Sequence, residues 1–200
     1  MRVLGTPLLV VSLASLPACG KPPERGGRAR ETSGLTAAGR VSTAQGLSFV
    51  PAGSWKAKAP SSGMRLAEYA IPRAQGDAAD GELVLYYFGQ GQGGSVEANL
   101  DRWYGQFHQP DGSSSKDKAR VEKREVSGLK ATLVEVAGRY VSQGMATGMR
   151  DYDEPGWRMV AAIVETGKGP FFFKAVGPEK TILEARAALE AMVDSVRLEG

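Results

Sequence analysis

The residues best suited to chemistry are few and lie apart. Gly89-Gln90-Gly91-Gln92-Gly93-Gly94 fits a G-x-G-x-x-G spacing, after an apolar run and before a helical pattern. Glycines in that setting let backbone approach a phosphate at a helix N-terminus. The rest of a dinucleotide unit does not follow. The next segment is a polar loop, and no acidic residue stands where a ribose would need one. Gly89, Gly91, Gly93 and Gly94 are therefore expected to form either an anion-binding loop or a plain glycine connection. His108 is the sole histidine. Without a second histidine it does not suggest a zinc site, and no G-x-S-x-G elbow offers it a serine partner. Its expected place is the C-terminal end of a helix, facing the dipole. Asp151, Asp153 and Glu154 could present oxygens to calcium, but their spacing does not continue into an EF-hand loop. No catalytic residue, metal ligand or cofactor is expected from these patterns.

Those residues must be positioned by a regular framework, and the pattern of the chain supplies one. Leu47–Pro51 reads as a short entry strand, followed by a turn at Gly53-Ser54-Trp55. Met64–Ile71 and Glu82–Phe88 read as strands, the first ended by Pro72. Val96, Leu100, Trp103, Tyr104 and Phe107 share one helical face, which predicts a helix over 95–107 with Ser95 as its N-cap. Residues 109–118 read as a loop. Strands are expected at Arg120–Val126 and Leu129–Val141 around a Ser127-Gly128 turn. A longer excursion is expected over 142–156. Trp157–Thr166 and Pro170–Val176 form a second hairpin, and Pro178 opens a C-terminal helix with Ile182, Ala185, Leu189, Met192, Val193 and Val196 on its apolar face. Trp55, Trp103 and Trp157, with Tyr86, Tyr87 and Phe171–Phe173, read as core, with a ligand pocket as the alternative.

Two of these strands are apolar on both faces. Met159, Ala161 and Ile163 alternate with Val160, Ala162 and Val164, and Phe171-Phe172-Phe173 behaves in the same way. A strand of that kind must be covered on both sides. The expected fold class is α+β, an antiparallel sheet covered by helices on both faces.

Charge separates the chain into parts. The net charge is +3, yet Arg2 and residues 21–45 together carry +4, leaving −1 for residues 46–200. The basic excess is outside the domain, which removes the electrostatic case for nucleic-acid binding. Residues 20–45 are rich in Gly, Pro, Arg, Ser and Thr and are expected to be a disordered linker.

The N-terminus carries Arg2, an apolar run from Val3 to Leu16, and then Leu16-Pro17-Ala18-Cys19, which holds the only cysteine. A charge, a short apolar core and a processing site make a signal peptide. The last four residues resemble the lipobox of bacterial lipoproteins, with Pro17 departing from the small residue usual there. That resemblance implies cleavage before Cys19, a diacylglyceryl group on its thiol, and further N-acylation. Two or three acyl chains make a stable anchor. Ordinary cleavage after Gly20, or an unprocessed cysteine, are the alternatives. The expected parts are a signal peptide over 1–18, a lipidated cysteine and linker over 19–45, and one domain over 46–200.

The order of elements is similar to the PsbP-like fold. The features that carry the resemblance are Phe49-Val50-Pro51-Ala52-Gly53-Ser54-Trp55, the strands up to Phe88, the helix around Asn99 to Phe107, and Gly177-Pro178 before the last helix. That fold is shared by an extrinsic photosystem II protein, a Ran-binding nuclear import factor and many small exported bacterial lipoproteins, with no single activity among them. Fold alone supplies no function. The expectation is a non-catalytic binding or assembly domain at the cell envelope, anchored by lipid to the outer membrane and facing the periplasm. An envelope protein partner is favoured over a small ligand or ion, and an envelope hydrolase stands third.

Overall fold

The two apolar sets on each central strand end in two separate cores. The computed structural model describes residues 39, 42–142 and 151–199. In chain order the elements are β1 (Ser42–Ala44), β2 (Leu47–Phe49), β3 (Lys56–Lys58), β4 (Arg65–Ile71), β5 (Gly81–Tyr87), α1 (Val96–Tyr104), β6 (Phe107–His108), α2 (Ser115–Lys118), β7 (Arg120–Val126), β8 (Leu129–Ser142), β9 (Tyr152–Glu165), β10 (Phe171–Pro178), α3 (Glu179–Asp194) and β11 (Arg197–Leu198). The fold is α+β and dominated by antiparallel sheet. Eight strands form the main sheet, in the order β3-β4-β5-β10-β9-β8-β6, with β7 also pairing β8. A small second sheet has the order β1-β2-β11.

Strand β10 shows how the sheet is packed. Phe171, Phe173 and Ala175 join a cluster with Ile182, Leu189 and Met192 of α3. Phe172 and Val176 join another with Leu100, Trp103 and Tyr104 of α1. Successive side chains of a strand point to opposite faces, so each cluster takes one of the two alternating sets. Trp55, Trp103 and Trp157 are all buried.

Helix α3 begins at Glu179, and its N-cap Pro178 has no side chain to accept the first N–H groups. Asp77, far away in sequence, supplies the acceptor. Its Oδ2 receives the Thr181 N–H at 2.9 Å and the Thr181 hydroxyl at 2.5 Å. The Thr181 oxygen in turn accepts the Ala74 N–H at 3.0 Å. The loop before β5 is thus tied to the helix end.

Several boundaries differ from the sequence reading. Ser42–Ala44, expected as linker, is a strand paired with β2 through a turn at Gln45 and Gly46, both at positive φ. The folded part therefore begins inside that stretch. The helix expected over 95–107 ends at Tyr104, with Gly105 as its C-cap, and Phe107–His108 pairs with β8 instead. The expected loop over 109–118 holds the short helix α2. The excursion expected over 142–156 is shorter, because residues 152–156 belong to β9. Pro155 and Gly156 mark a bulge there rather than a loop. Between the pairs Gly138–Trp157 and Tyr140–Glu154, β8 advances by two residues and β9 by three.

Candidate functional site

A lysine interrupts the apolar run of the central strand. Lys174 follows Phe171-Phe172-Phe173 and lies opposite Val84 on one side and Ala161 on the other. By alternation it shares a face with Phe172 and Val176. That is the α1 face, and α1 has only nine residues. Such a helix is about 13 Å long. Because β6 and β7 share one edge of β8, the sheet is seven strands across, and at about 4.8 Å per strand it is roughly 29 Å wide. The helix leaves part of this face uncovered, and the uncovered part forms a cavity of about 410 Å³.

The side chains facing this cavity arrive from both halves of the sheet. Glu82, Val84 and Tyr86 alternate along β5, and Tyr140 and Ser142 along β8. Two bulges supply the others. On β4, Arg65 pairs with Tyr86 but Ala67 pairs with Leu85, so one extra residue turns Arg65 from the α3 face to the cavity. On β9, the bulge at Pro155 and Gly156 brings both Trp157 and Tyr152 to the same side. An extra residue in one strand reverses which way the following side chains point. Gly156 holds φ +66, a conformation that favours glycine.

The ammonium of Lys174 has only neutral hydrogen-bond partners. Nζ donates to Gln106 Oε1 at 2.6 Å and to the Tyr140 hydroxyl at 3.4 Å, and lies 5.4 Å from the centre of the Tyr140 ring. Among the described residues no carboxylate forms an ion pair with it. Burial pushes its pKa down to about 7, with Arg102 and Arg65 adding repulsion that Glu82 only partly offsets. Gln106 reaches this spot because Gly105 ends α1 and the Gln106 N–H folds back to the Trp103 carbonyl at 3.1 Å.

The other charges form a chain contributed by β3, β4 and β5. Arg65 Nη1 lies 3.2 Å from Glu68 and 3.4 Å from Glu82, and its guanidinium lies 5.8 Å from the Tyr86 ring centre. Lys58 lies 3.8 Å from Glu82. Glu68 is almost fully buried at 1% exposure. Burial alone would raise its pKa. Hydrogen bonds from the Ser61 N–H at 2.6 Å and hydroxyl at 2.7 Å, with Arg65 beside it, outweigh burial and hold it below the usual range. Burial raises the Tyr86 hydroxyl as well and pushes Tyr140 up to about 12. Tyr140 stacks on Trp157 at 5.8 Å and packs against Tyr152 at 5.4 Å. The cavity thus has aromatic walls, a chain of paired charges, and one cation whose hydrogen-bond partners are neutral. A smaller space of about 130 Å³, bordered by Phe88, Arg102, Trp103 and Phe172, also meets Lys174.

Of the aromatic residues singled out in the sequence, Tyr86 lines this cavity and Trp103 and Phe172 the smaller space, while the glycine loop, His108 and the acidic residues do not gather here. Cys19 lies outside the described residues. Gly89, Gly91, Gly93 and Gly94 all hold positive φ and connect β5 to α1. Their surroundings explain the glycines structurally. A Cβ on Gly93 would meet the Phe172 ring at 3.0 Å, and the Gly93 carbonyl accepts from Asn99 Nδ2 at 2.7 Å. The Ser95 hydroxyl already accepts the Ala98 N–H at 3.1 Å, satisfying a donor that an anion would otherwise use. Gly94 and Ser95 border a wider cleft of about 740 Å³. Of its charged side chains, Lys123, Lys130, Glu97, Glu125 and Glu165 are exposed to water, where their fields are screened, and the half-buried Arg124 is paired with Asp194 at 3.1 Å.

His108 is exposed on β6 opposite Arg139, not at a helix end, because α1 stops four residues earlier. Asp153 is engaged by Arg139 through two hydrogen bonds, 2.5 and 2.6 Å, which hold its carboxyl below the usual range. Asp151 and Glu154 also have partners. Among the described residues no cluster of three or more metal-ligating side chains is present, and no helix is long and apolar enough to cross a membrane.

Sequence reasoning missed Lys174, Arg65, Glu68, Glu82, Gln106 and Tyr140 as site residues. One signal was present, the lysine inside Phe171-Phe172-Phe173-Lys174-Ala175-Val176. A charge in the middle of a strand apolar on both faces must have a polar destination.

No described protein family and no curated protein matches the sequence. Among solved structures, the fold is similar to that of a Pseudomonas aeruginosa protein of unknown function, PA94, at 9% identity and a TM-score of 0.45. That match covers 66% of this chain and 82% of the other. It is also similar to the cyanobacterial PsbP, CyanoP, of Synechocystis sp., at 10% identity and a TM-score of 0.48, covering 82% of this chain and 94% of that one.

Proposed function

We propose that the chain is a lipid-anchored cell-envelope protein whose domain binds a small organic anion, without turning it over, in the cavity beside Lys174. The observation that carries this reading is the ammonium itself. It faces a cavity of ligand size and has neutral partners only. A buried cation lacking a counter-charge is costly, and an entering carboxylate would supply one. The tyrosine walls would hold a flat or unsaturated body behind that carboxylate. Among the described residues, by contrast, the exposed large apolar side chains are Val50, Met64, Phe88, Val121, Leu183 and Leu198, single residues well separated along the chain. That distribution favours a small ligand over the protein partner expected from sequence.

The rest of the reading rests on sequence pattern. Arg2, the apolar run and Leu16-Pro17-Ala18-Cys19 support export and lipidation at Cys19, with the outer membrane facing the periplasm as its place. The two core clusters, each shared with a different helix, support an α/β/α sandwich of the PsbP-like type. Cys19→Ala should move the protein from the detergent phase to the soluble fraction; unchanged partitioning contradicts the anchor. For the pocket, benzoate serves as the probe. Calorimetric titration of the full chain should give saturable binding that Lys174→Met weakens by roughly 10–100-fold, the loss of one charge-assisted contact. Equal binding by both proteins contradicts the pocket.

A further inference from the structure

The same nitrogen that would hold an anion is placed to do covalent chemistry when it carries no proton, and this inference rests on the pocket reading above. We propose that Lys174 captures small aldehydes reversibly as imines within the cavity. Three features of the site support this. Lys174 borders two adjoining spaces, of about 410 and 130 Å³, which give an aldehyde carbonyl a path to its side chain. Its partners, Gln106 Oε1 and the Tyr140 hydroxyl, are neutral and do not hold it in the ammonium form as a carboxylate would. The charged groups lining the two spaces are Arg65 and Glu68 on β4, Glu82 on β5, Arg102 on α1 and Lys58 on β3, and the titratable tyrosines facing them are Tyr86 on β5, Tyr140 on β8 and Tyr152 on β9. The two guanidiniums repel a proton on Nζ, while Glu82 attracts one less strongly. With its pKa near 7, much of Lys174 is free amine at neutral pH, whereas an exposed lysine is almost wholly protonated.

The chemistry balances without a co-reactant beyond the aldehyde. The Nζ lone pair forms the new C–N bond, and the carbonyl π electrons move to oxygen. Oxygen takes a proton, for which the Tyr140 hydroxyl, 3.4 Å from Nζ, is the donor in reach. Nitrogen gives up a proton in exchange, restoring Tyr140. The C–O bond then breaks, a second proton from nitrogen leaves with the oxygen as water, and the C=N bond forms. Aldehyde plus amine gives imine plus water, with no change of oxidation state.

Benzaldehyde and benzoate are matched in size and place a carbonyl carbon at the same position, so together they separate the two ideas. The full chain is incubated with benzaldehyde and cyanoborohydride at pH 7.5, digested, and mapped by mass spectrometry. The expected result is a reduced benzyl adduct at Lys174, formed about tenfold faster than at any other lysine. Benzoate should block it, and Tyr140→Phe, which keeps the ring, should slow it. Labelling spread evenly over Lys123, Lys130 and the other surface lysines overturns the proposal. If benzoate binds and Lys174 stays unlabelled, imine capture fails and the pocket stands. If benzoate does not bind and Lys174 is unlabelled, both fail.

Discussion

Replacing Lys174 by Met should stabilise the unliganded protein at neutral and acidic pH. The side chain keeps its length and apolar stem and loses its charge. Below pH 7 the lysine is protonated in both the folded and the unfolded state, and the folded state carries the full cost of holding that charge in the cavity. Between about 7, the folded pKa, and 10.5, the ordinary value, the unfolded chain binds more protons than the folded one, so stability should rise with pH across that window. A pKa lowered from 10.5 to about 7 corresponds to about 5 kcal/mol. Losing the hydrogen bond to Gln106 returns roughly 1–2 kcal/mol. The net gain at pH 6 is then about 3 kcal/mol, or a rise in Tm of roughly 6–12 °C for a domain of this size. Urea and thermal unfolding at pH 6 and pH 10 would measure it. The advantage of Lys174→Met should be largest at pH 6 and vanish by pH 10. A variant less stable than the parent at pH 6, by an amount that does not change with pH, would refute the reasoning. It would mean that the ammonium is well paired in solution.

Two further perturbations test the frame rather than the site. Asp77→Ala removes the acceptor of the Thr181 N–H and hydroxyl and should cost about 1–2 kcal/mol in urea unfolding, with earlier fraying of α3 in hydrogen exchange. No loss would show that the α3 end is satisfied without that loop. Glu135 lies between Arg158 and Arg186, with its side chain 11% exposed. Glu135→Ala should cost about 2 kcal/mol, less than an isolated buried pair because Glu179 and Glu190 still serve the two arginines. A cost under about 0.5 kcal/mol would place the pair among screened surface contacts.

Much of the frame could be read from local pattern. The β7–β8 hairpin falls where Ser127-Gly128 places it, both turn residues having positive φ. Helix α3 follows its stripe of Ile182, Ala185, Leu189 and Met192. The two greasy sets on β9 and β10 enter two separate core clusters. The site was not legible in the same way. Its groups come from residues 58, 65, 68, 82, 106, 140 and 174, and long-range strand pairing, with the end of α1 for Gln106, brings them together. Arg65 and Tyr152 face the cavity only because each lies beyond a bulge. A one-residue bulge is invisible to a period-two pattern until the partner's register is known. The shortness of α1, which leaves the cavity open, depended on where Gly105 ended the helix. The glycine run drew attention by its spacing, and the structure uses it to connect β5 with α1 past the Phe172 ring.

The central claim is that an anion enters beside a Lys174 that is only partly protonated at neutral pH. Calorimetry of benzoate binding to the full chain, repeated in buffers of different ionisation enthalpy, measures the protons taken up on binding. Charge pairing raises the lysine pKa in the complex, so uptake should be about half a proton at pH 7 and close to none at pH 5.5. Affinity should be level below pH 7 and fall as pH rises above it, by up to about tenfold per pH unit. Lys174→Met should abolish the uptake. Benzoate binding with no proton uptake at pH 7, or with equal affinity in Lys174→Met, would contradict the account.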